Sequence, residues 1–457
     1  MTVFRLSFFG ALLLGAVAAG AAERALVDLR VYPDSVSLTT KRDGQRIVVQ
    51  AVYDDTVTRD VTAEAAWVFS DGSKVRRNGP MIHPVADGET KLTVSFGGKL
   101  QEVPVVVARA EEDRPAGFRL DVMPIFMRAG CNTGGCHGSA RGQDGFRLSL
   151  FGFDPEGDHY RITKEMPGRR INTALPKYSL LVTKSIGAVP HTGGELFAED
   201  SAYAQTLIEW LSRGAPNDPP DVAVPTGIRI MPDRIVLAGE GAQHALTVVA
   251  TYSDGTTRDV TPLAVFLSNN DNSGEVSKDG VITARSRGEA FVMARFHTFT
   301  EGAQVIVVPG GDSHEFPKLA EANYIDTLVH DKLRKLRVQP SERTSDEVFL
   351  RRVFIDLIGQ LPTAEDHAAF MADSSAGKRN VLIDRLLERK EFVEMWVMQF
   401  AELLQIRSEQ DFSYKSANLY YNWLQEKIAS GVPVNKIVYD ILSATGGTFE
   451  NPPTNFY

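Results

Sequence analysis

Residues 53–62, YDDTVTRDVT, return almost unchanged as YSDGTTRDVT at residues 252–261. The dipeptide Pro33-Asp34 returns in the same relative register as Pro232-Asp233. A segment that recurs in register with its surroundings indicates a duplicated structural unit. The chain therefore contains two copies of one domain, with a different segment between them.

Both copies have the sequence pattern of β-strands. Runs of alternating or β-branched residues lie between turns rich in Asp, Gly and Pro. They cover residues 46–53, 91–96 and 103–107 in the first copy, and 245–252, 290–296 and 303–308 in the second. Many short strands within roughly 80 to 90 residues are typical of a β-sandwich. We therefore predict β-sandwiches at residues 23–110 and 224–309.

The length and composition indicate a globular protein of several domains. The chain has 457 residues, which is more than one hydrophobic core supports. With 43% hydrophobic and 23% charged residues, its composition is that of a globular protein. The formal net charge is -9. Because phosphate contacts need clustered Lys and Arg, this charge argues against a nucleic-acid partner.

The N-terminus has the layout of a secretory signal peptide. Arg5 precedes an apolar run over residues 6–17, and the small residues Ala19, Gly20 and Ala21 follow. We expect residues 1–22 to be removed on export, which places the protein in the periplasm or at the cell surface. No later run reaches the roughly 18 to 20 apolar residues of a membrane helix, so no transmembrane span is expected after cleavage.

The segment between the copies contains the only two cysteines, Cys131 and Cys136, and His137 follows the second directly. A c-type haem needs two thiols for its vinyl groups and a histidine directly after the second thiol for its iron. Here four residues instead of two separate the thiols, and the glycines at 134 and 135 give the longer loop its freedom. A local disulfide and a structural zinc ion remain as alternatives. A disulfide gives His137 no role, and a structural zinc ion requires four ligands, of which only three cluster here.

The surroundings of these cysteines add a family resemblance. The segments GFRLSLFGFDP at 145–155, GRRI at 168–171, PHTGG at 190–194 and IEWLSRGA at 208–215 resemble the planctomycete cytochrome c-like domain in its wide-spaced form. The resemblance covers about residues 115 to 220. It implies a small, mainly α domain at 113–220, one covalent haem c held by Cys131, Cys136 and His137, and electron transfer with an unidentified redox donor or acceptor.

A second axial ligand is expected on a separate segment. Related domains have a Met-Pro step before the last helix, whereas this chain has Pro190-His191. We therefore predict that His137 and His191 both bind the iron, with a lower potential than a His/Met pair. Met166 and His159 are the alternatives to His191.

Two adjacent arginines are candidates for the haem propionates. The guanidinium groups of Arg169 and Arg170 suit bidentate pairing with carboxylates. A solvated turn is the alternative for both. Trp210 is expected to pack against the haem or the core.

The repeated domains carry a resemblance of their own. The Pro-Asp openings, the repeated turn and SKDGVITA at 277–284 resemble bacterial Ig-like domains of group 2. The first copy lacks a clear Asp-Gly-Val-Ile equivalent. The resemblance implies spacers or adhesive stalks, with a cell-surface or polysaccharide partner as a further option. Local turn chemistry explains Tyr53, Asp55, Tyr252 and Asp254 better than a binding site does.

After Gly311 the pattern becomes helical. Apolar residues fall at helical spacing over 319–336, 348–357 and 381–387, and Thr363 with Asp366 forms a capping pair. We predict an α-helical module at 314–457. Its segment FLRRVFIDLIGQLPT at 349–363 resembles the helical domain of unknown function in planctomycete-type secreted cytochromes. That domain is longer in the family, so we expect the chain to be a fragment.

One acidic residue of this module lies in an apolar run. Asp356 interrupts residues 353–358, and we predict a structural pair with Arg351 or Arg352 because an unpaired buried acid is costly.

Together these features predict two Ig-like β-sandwiches flanking a cytochrome c-like domain, followed by a helical module. An exported electron-transfer protein is the leading hypothesis. The alternatives are a surface scaffold with a local disulfide, and a periplasmic enzyme whose catalytic part lies in or beyond the helical module.

Overall fold

The computed structural model describes residues 24–166, 168–311, 316–407 and 413–457. The chain divides into two compact units, Met1–Gln339 and Pro340–Tyr457. The expected signal peptide at 1–22 lies outside the described residues. Within the described ranges no helix is long and apolar enough to cross a membrane.

The first copy of the repeat is a β-sandwich of ten strands. The strands are β1 (Leu26–Tyr32), β2 (Val36–Leu38), β3 (Gln45–Arg46), β4 (Val48–Tyr53), β5 (Thr58–Asp60), β6 (Ala66–Phe69), β7 (Val75–Asn78), β8 (Met81–Pro84), β9 (Gly88–Phe96) and β10 (Lys99–Val107). They form sheets in the orders β1-β4-β5, β2-β10-β9-β6 and β3-β8-β7. Along β10 the buried residues Val103, Val105 and Val107 alternate with exposed ones, so one face of the strand enters the core.

The second copy repeats this topology strand for strand. Its strands are β11 (Pro225–Met231), β12 (Arg234–Ala238), β13 (Gln243–Ala245), β14 (Thr247–Tyr252), β15 (Thr257–Asp259), β16 (Val265–Ser268), β17 (Gly274–Val276), β18 (Val281–Ala284), β19 (Gly288–Phe296) and β20 (Phe299–Val308). The sheet orders are β11-β14-β15, β12-β20-β19-β16 and β13-β18-β17. The two predicted β-sandwiches are confirmed.

The two copies differ in the turn that the first copy lacks in its sequence. Residues 277–280 connect β17 with β18, whereas only Gly79 and Pro80 connect β7 with β8. Gly79 has a φ of 58° and Gly280 a φ of 72°, in the left-handed region that glycine adopts most easily. The first copy therefore keeps the hairpin but closes it with a shorter turn.

The two sandwiches pack side by side through equivalent residues. The Asp60 carboxylate accepts a hydrogen bond from the backbone N–H of Ala245 at 2.9 Å, and the Asp259 carboxylate accepts one from the backbone N–H of Arg46 at 2.6 Å. Asp60 and Asp259 occupy the same position of the repeat, and so do Arg46 and Ala245. The contact thus has the reciprocal form of a two-fold symmetric dimer interface, here within one chain.

The central segment is helical. A π-helix at Phe118–Val122 leads into α1 (Met123–Arg128), followed by α2 (Pro155–Thr163), α3 (Leu180–Ser185) and α4 (Ala202–Ser212), with 3₁₀ turns at Leu150–Gly152 and Pro176–Tyr178. The Ser201 hydroxyl caps α4 by accepting from the N–H of Ala204. Trp210 is fully buried against Phe118, and its indole N–H donates to the carbonyl of Pro216 at 2.9 Å. Trp210 is thus a core residue.

A charged cluster joins the central segment to both sandwiches. Arg114 donates two hydrogen bonds to the Asp121 carboxylate, at 2.7 and 2.9 Å. Arg258 of the second sandwich donates to Asp121 at 3.3 Å, and its Nε lies 3.8 Å from Asp43 of the first sandwich. The four side chains are at most 21% exposed. Their charges therefore interact with little screening by water.

The C-terminal region is helical, as predicted. Its helices are α5 (Tyr324–Lys335), α6 (Asp346–Ile358), α7 (Ala364–Ala372), α8 (Lys378–Leu387), α9 (Lys390–Leu403), α10 (Tyr414–Ala429) and α11 (Val434–Leu442). The predicted capping pair is confirmed at α7, where Thr363 and Asp366 each bond to the other's backbone N–H. Helix α5 lies in the first compact unit, with Lys332 paired to Glu289 and Arg337 donating to Asp55.

The prediction for Asp356 is wrong. Its side chain is exposed on α6, whereas Val353, Phe354 and Ile358 turn into the core of the second unit. At about 100° per residue, Asp356 is turned about 160° away from Phe354 and from Ile358, and so it points out of the core although Val353 lies one turn before it. It therefore needs no partner to offset desolvation.

Candidate functional site

The segment with the two cysteines is a compact loop after α1. The N–H of His137 donates to the carbonyl of Cys131, and the N–H of Cys136 donates to the carbonyl of Thr133, both at 3.0 Å. At Gly138 a side chain would collide with the carbonyl oxygen of Asn132, so only glycine allows this closure. The loop thereby places Cys131, Cys136 and His137 on the wall of one cleft.

This cleft is mainly apolar. Its volume is about 970 Å³ when the open solvent at its entrance is included. Phe126, Leu148, Leu181 and Leu196 form apolar walls, and His191 also lines the cleft. Apolar walls with a few convergent polar groups are typical of a cofactor or small-ligand site.

The rings of His137 and His191 are close together and nearly parallel. Their centroids are 6.4 Å apart, and their planes differ by 6°. The Nδ1 atom of His137 is 2.9 Å from the carbonyl oxygen of Phe146, and that of His191 is 3.2 Å from the carbonyl oxygen of Gly194. Both carbonyls favour a proton on Nδ1 and so leave Nε2 as the lone-pair nitrogen, the arrangement usual for metal-bound histidine.

The distance between the two ring centroids can be compared with that of two imidazoles that share one metal ion. A metal–imidazole bond is about 2 Å long and the ring centre lies roughly 1 Å behind its nitrogen, so two rings that bind one metal in a line have centroids roughly 6 Å apart. The centroids of His137 and His191 are 6.4 Å apart. The two histidines, which lie far apart in sequence, are therefore close together in the fold.

The protonation of the site follows from burial. Burial lowers the pKa of His137, and the electrostatic interaction with His191 and Lys184 lowers it further, against the hydrogen bond to Phe146. The neutral imidazole, which is the form that binds metals, is thus favoured. Burial and the neighbouring Cys136 raise the pKa of the Cys131 thiol to about 12. Both cysteines are free thiols.

The two alternative ligands differ in their positions. His159 packs edge-on against Phe118 and Trp210, and its Nε2 lies 2.9 Å from the carbonyl oxygen of Ala215, away from the cleft. Met166 lines the cleft with a 45% exposed side chain. The geometry therefore leaves Met166, but not His159, as an alternative to His191.

The two candidate arginines also differ. Arg170 is buried, donates to the carbonyl of Gly145 and to the Glu165 carboxylate, each at 2.7 Å, and also to the carbonyl of Arg161. Its guanidinium also lies over the Phe146 ring, 4.6 Å from the centroid. Arg170 therefore holds the loop whose Phe146 carbonyl orients His137, whereas Arg169 is exposed at the edge of the cleft.

We expect Arg170→Ala to lower the free energy of unfolding by about 2–3 kcal/mol, because charge-assisted hydrogen bonds are lost and a buried carbonyl is left without its donor. Thermal or urea unfolding of the whole chain measures this loss. Arg169→Ala is the matched control, since it removes the same side chain one position earlier from an exposed site. Equal losses in the two variants would contradict the role given to Arg170.

Sequence reasoning missed three contributors to the cleft. The carbonyls of Phe146 and Gly194 are backbone groups, so no letter of the sequence marks them. Lys184 on α3 lines the cleft and lies near His137, and a lone lysine in a short helix carries no motif. In the described residues, no cluster of three or more His, Cys, Asp and Glu side chains could hold a metal ion, so the zinc alternative gains no further ligands.

The fold defines a class of protein: a multidomain chain with two Ig-like β-sandwiches and a C-terminal helical region. Within that region, residues 324–456 match the family PSCyt2, described as a protein of unknown function (DUF1549). The match covers less than half of the chain. No curated protein matches the sequence.

Solved structures resemble the chain only distantly. Domains 5–6 of the S-layer protein SbsC are 13% identical, with a TM-score of 0.24, and the match covers 62% of this chain and 99% of that one. The neural ectodermal development factor IMP-L2 is 11% identical, with a TM-score of 0.22 and coverages of 62% and 96%. Extracellular domains 3–5 of Drosophila OTK are 8% identical, with a TM-score of 0.14 and coverages of 62% and 62%. Similarity this low implies nothing about the function of the chain.

Proposed function

We propose that residues 113–220 hold one covalent haem c and that the chain is an exported electron-transfer protein. The observation that supports this best is the pair of nearly parallel imidazoles, His137 and His191, close together beside two free thiols. A disulfide scaffold would give this pair of rings no role.

The cleft contains the types of side chain that a covalent haem c requires. Cys131 and Cys136 would each add a thiol S–H across one vinyl group, which forms a thioether and needs no oxidant. His137 and His191 would each supply Nε2 to the haem iron. Arg169 and Lys184, at the edge of the cleft, are the cations available to the two propionates, because Arg170 is engaged by Glu165 and by backbone carbonyls. When bound, the haem supplies a one-electron redox couple.

The protein's own contribution is to orient the ligands and to exclude water. The carbonyls of Phe146 and Gly194 favour the Nδ1–H tautomer in both histidines, so that each Nε2 is available. Apolar walls lower the local dielectric, and two histidines give a lower potential than His with Met. Arg258 of the second Ig-like domain contacts the central segment through Asp121, which Arg114 also binds. We also propose that the Ig-like domains bind a cell-surface or polysaccharide partner. The chain is then located in the periplasm or at the cell surface.

A reduced-minus-oxidised visible spectrum tests the proposal. The chain is produced together with a cytochrome c maturation system, and we expect the absorption bands of a c-type haem that stays attached on a denaturing gel. The Cys131→Ser/Cys136→Ser variant is expected to lose the covalent attachment. A colourless wild-type product with a disulfide between Cys131 and Cys136 would instead support the surface-scaffold alternative.

A further inference from the structure

A buried histidine lies where the two sandwiches meet. His244 on β13 is fully buried. Its Nε2 atom is 3.3 Å from the side-chain nitrogen of Gln50, which belongs to β4 of the first sandwich. Its Nδ1 atom is 2.8 Å from the carbonyl oxygen of Ala245. The contact between the sandwiches therefore contains a side chain that ordinarily titrates near neutral pH.

The hydrogen-bond partners of His244 require the neutral ring. A carbonyl oxygen only accepts, so Nδ1 carries the proton and donates it to Ala245. The amide nitrogen of Gln50 only donates, so Nε2 must accept with its lone pair. The same amide nitrogen also donates to the carbonyl of Arg234 at 3.2 Å, and a reversed amide would place its oxygen against that carbonyl. A proton on Nε2 of His244 would therefore face an N–H group across the contact.

The charged groups around His244 leave burial as the dominant effect. Strand β5 of the first sandwich contacts β13, and its Asp60 interacts electrostatically with the ring. Arg59 on β5 and Arg234 on β12 are exposed, Tyr53 is the titratable residue of β4, and β18 has none. Burial lowers the pKa of His244 and outweighs both Asp60 and the hydrogen bond at Nδ1, which raise it. The closed contact thus favours the neutral imidazole.

Uncharged contacts continue the association beside this histidine. The Thr58 hydroxyl donates to the carbonyl of Val236 at 3.2 Å and accepts from the N–H of the same residue at 2.9 Å. Val57 of the first sandwich packs with Val236 and Ile306 of the second in a buried apolar cluster. Because hydroxyl and apolar contacts do not titrate near neutral pH, they leave any pH dependence in that range to His244.

We infer that His244 is a pH switch for the association of the two sandwiches, and that acidification to about pH 5 opens the contact of β4 and β5 with β12 and β13. In the open form water solvates the imidazole, which accepts a proton with an ordinary pKa of about 6.5. The contribution of neutral His244 to the closed form is therefore complete above this value and is lost as the pH falls toward the lowered pKa of the closed form. Asp259 acts in the opposite direction, because burial raises its pKa. The switch does not depend on the proposed haem.

Hydrogen exchange of the full chain, followed by mass spectrometry at pH 7 and pH 5, tests the switch. The N–H of Ala245 reports opening, because its acceptor is the Asp60 carboxylate of the other sandwich. After correction for the intrinsic exchange rate at each pH, we expect its protection to fall on the order of tenfold from pH 7 to pH 5. The amides of β19, inside the second sandwich, should keep their protection. Constant protection at Ala245, or an equal fall in β19, would overturn the inference.

Two variants assign the effect to this histidine. His244→Gln introduces the residue type that the first copy has at the equivalent position, Gln45, and removes the titrating ring. Its protection at Ala245 should stay level or rise toward pH 5, because Asp259 is retained. His83→Gln on β8 is the matched control and should keep the wild-type fall. An equal fall in His244→Gln and wild type would contradict the switch.

Reversing the partner's role gives a test of sign. Gln50→Glu replaces the amide nitrogen that donates to His244 by a carboxylate oxygen, which can accept from a protonated ring. We expect the protection at Ala245 in this variant to be higher at pH 5 than at pH 7, the reverse of the wild type. A fall as large as that of the wild type would show that His244 does not control the contact.

Discussion

Replacing His191 by alanine is expected to convert the haem-loaded protein from a low-spin to a high-spin state. The ring of His191 is nearly parallel to that of His137 at 6.4 Å, and its Nδ1 is held by the carbonyl of Gly194. Without the imidazole the haem iron would lose a strong-field ligand, while Cys131, Cys136 and His137 would still hold the haem. Visible absorption and electron paramagnetic resonance of the oxidised protein measure the change of spin state.

Two controls accompany this variant. His159→Ala should leave the spin state unchanged, because the His159 ring packs against Trp210 and bonds to Ala215 away from the cleft. Met166→Ala should also leave it unchanged, although Met166 lines the cleft. A high-spin spectrum in Met166→Ala together with a low-spin spectrum in His191→Ala would transfer the distal role to Met166.

Asp121→Ala is expected to lower the free energy of unfolding by about 3–5 kcal/mol, because it leaves Arg114 and Arg258 partly buried without their shared carboxylate. Asp121 is the only residue of the cluster that both arginines contact by hydrogen bond. Urea unfolding followed by tryptophan fluorescence measures the loss, since Trp210 is buried in the same segment. Asp271→Ala is the control, as Asp271 is an exposed aspartate of the second sandwich. Comparable losses in both variants would contradict the cluster's contribution.

The same carboxylate predicts a dependence on pH. Burial raises the pKa of Asp121, but the hydrogen bonds from Arg114 and the charge of Arg258 outweigh it and hold the pKa below its ordinary value. A carboxyl group whose pKa is lowered by folding stabilises the fold above its unfolded pKa, about 3.9, and this contribution is lost as the pH falls through the folded value. The difference in unfolding free energy between wild type and Asp121→Asn should therefore shrink below about pH 4. A difference that stays constant down to pH 2 would contradict this.

The repeat made the two sandwiches predictable, because alternation and turn residues are local signals. The sequence did not predict how the copies pack, since Asp259 meets Arg46 and Asp60 meets Ala245 across about half of the chain. The hairpin turn at Gly79-Pro80 could not be predicted from the second copy, because turns of different sequence and length can close the same hairpin. The predicted pairing of Asp356 is wrong because an apolar run in sequence does not define a buried face, since successive residues of a helix point in different directions around its axis.

At the candidate site, motif and resemblance predicted which residues to consider, and the structure shows which groups contact them. Cys131, Cys136, His137 and His191 were all chosen from motif and resemblance, and they line one cleft. The different positions of Arg169 and Arg170 could not be predicted, since adjacent residues in a turn point in directions that only tertiary contacts decide. The carbonyl acceptors of Phe146 and Gly194 have no signature in the sequence for the same reason.

The reciprocal contact of Asp60 and Asp259 has a consequence for the kinetics of domain association. Because one chain carries both sandwiches, each meets the other at an effective concentration on the order of millimolar or higher, whatever the dilution of the protein. A hydrogen bond that opens at this contact can therefore re-form without a new diffusional encounter, and a modest affinity suffices to keep the pair closed. The central segment is the tether of that pair, so changes in its exposed loops leave the local concentration of the partner sandwich almost unaltered.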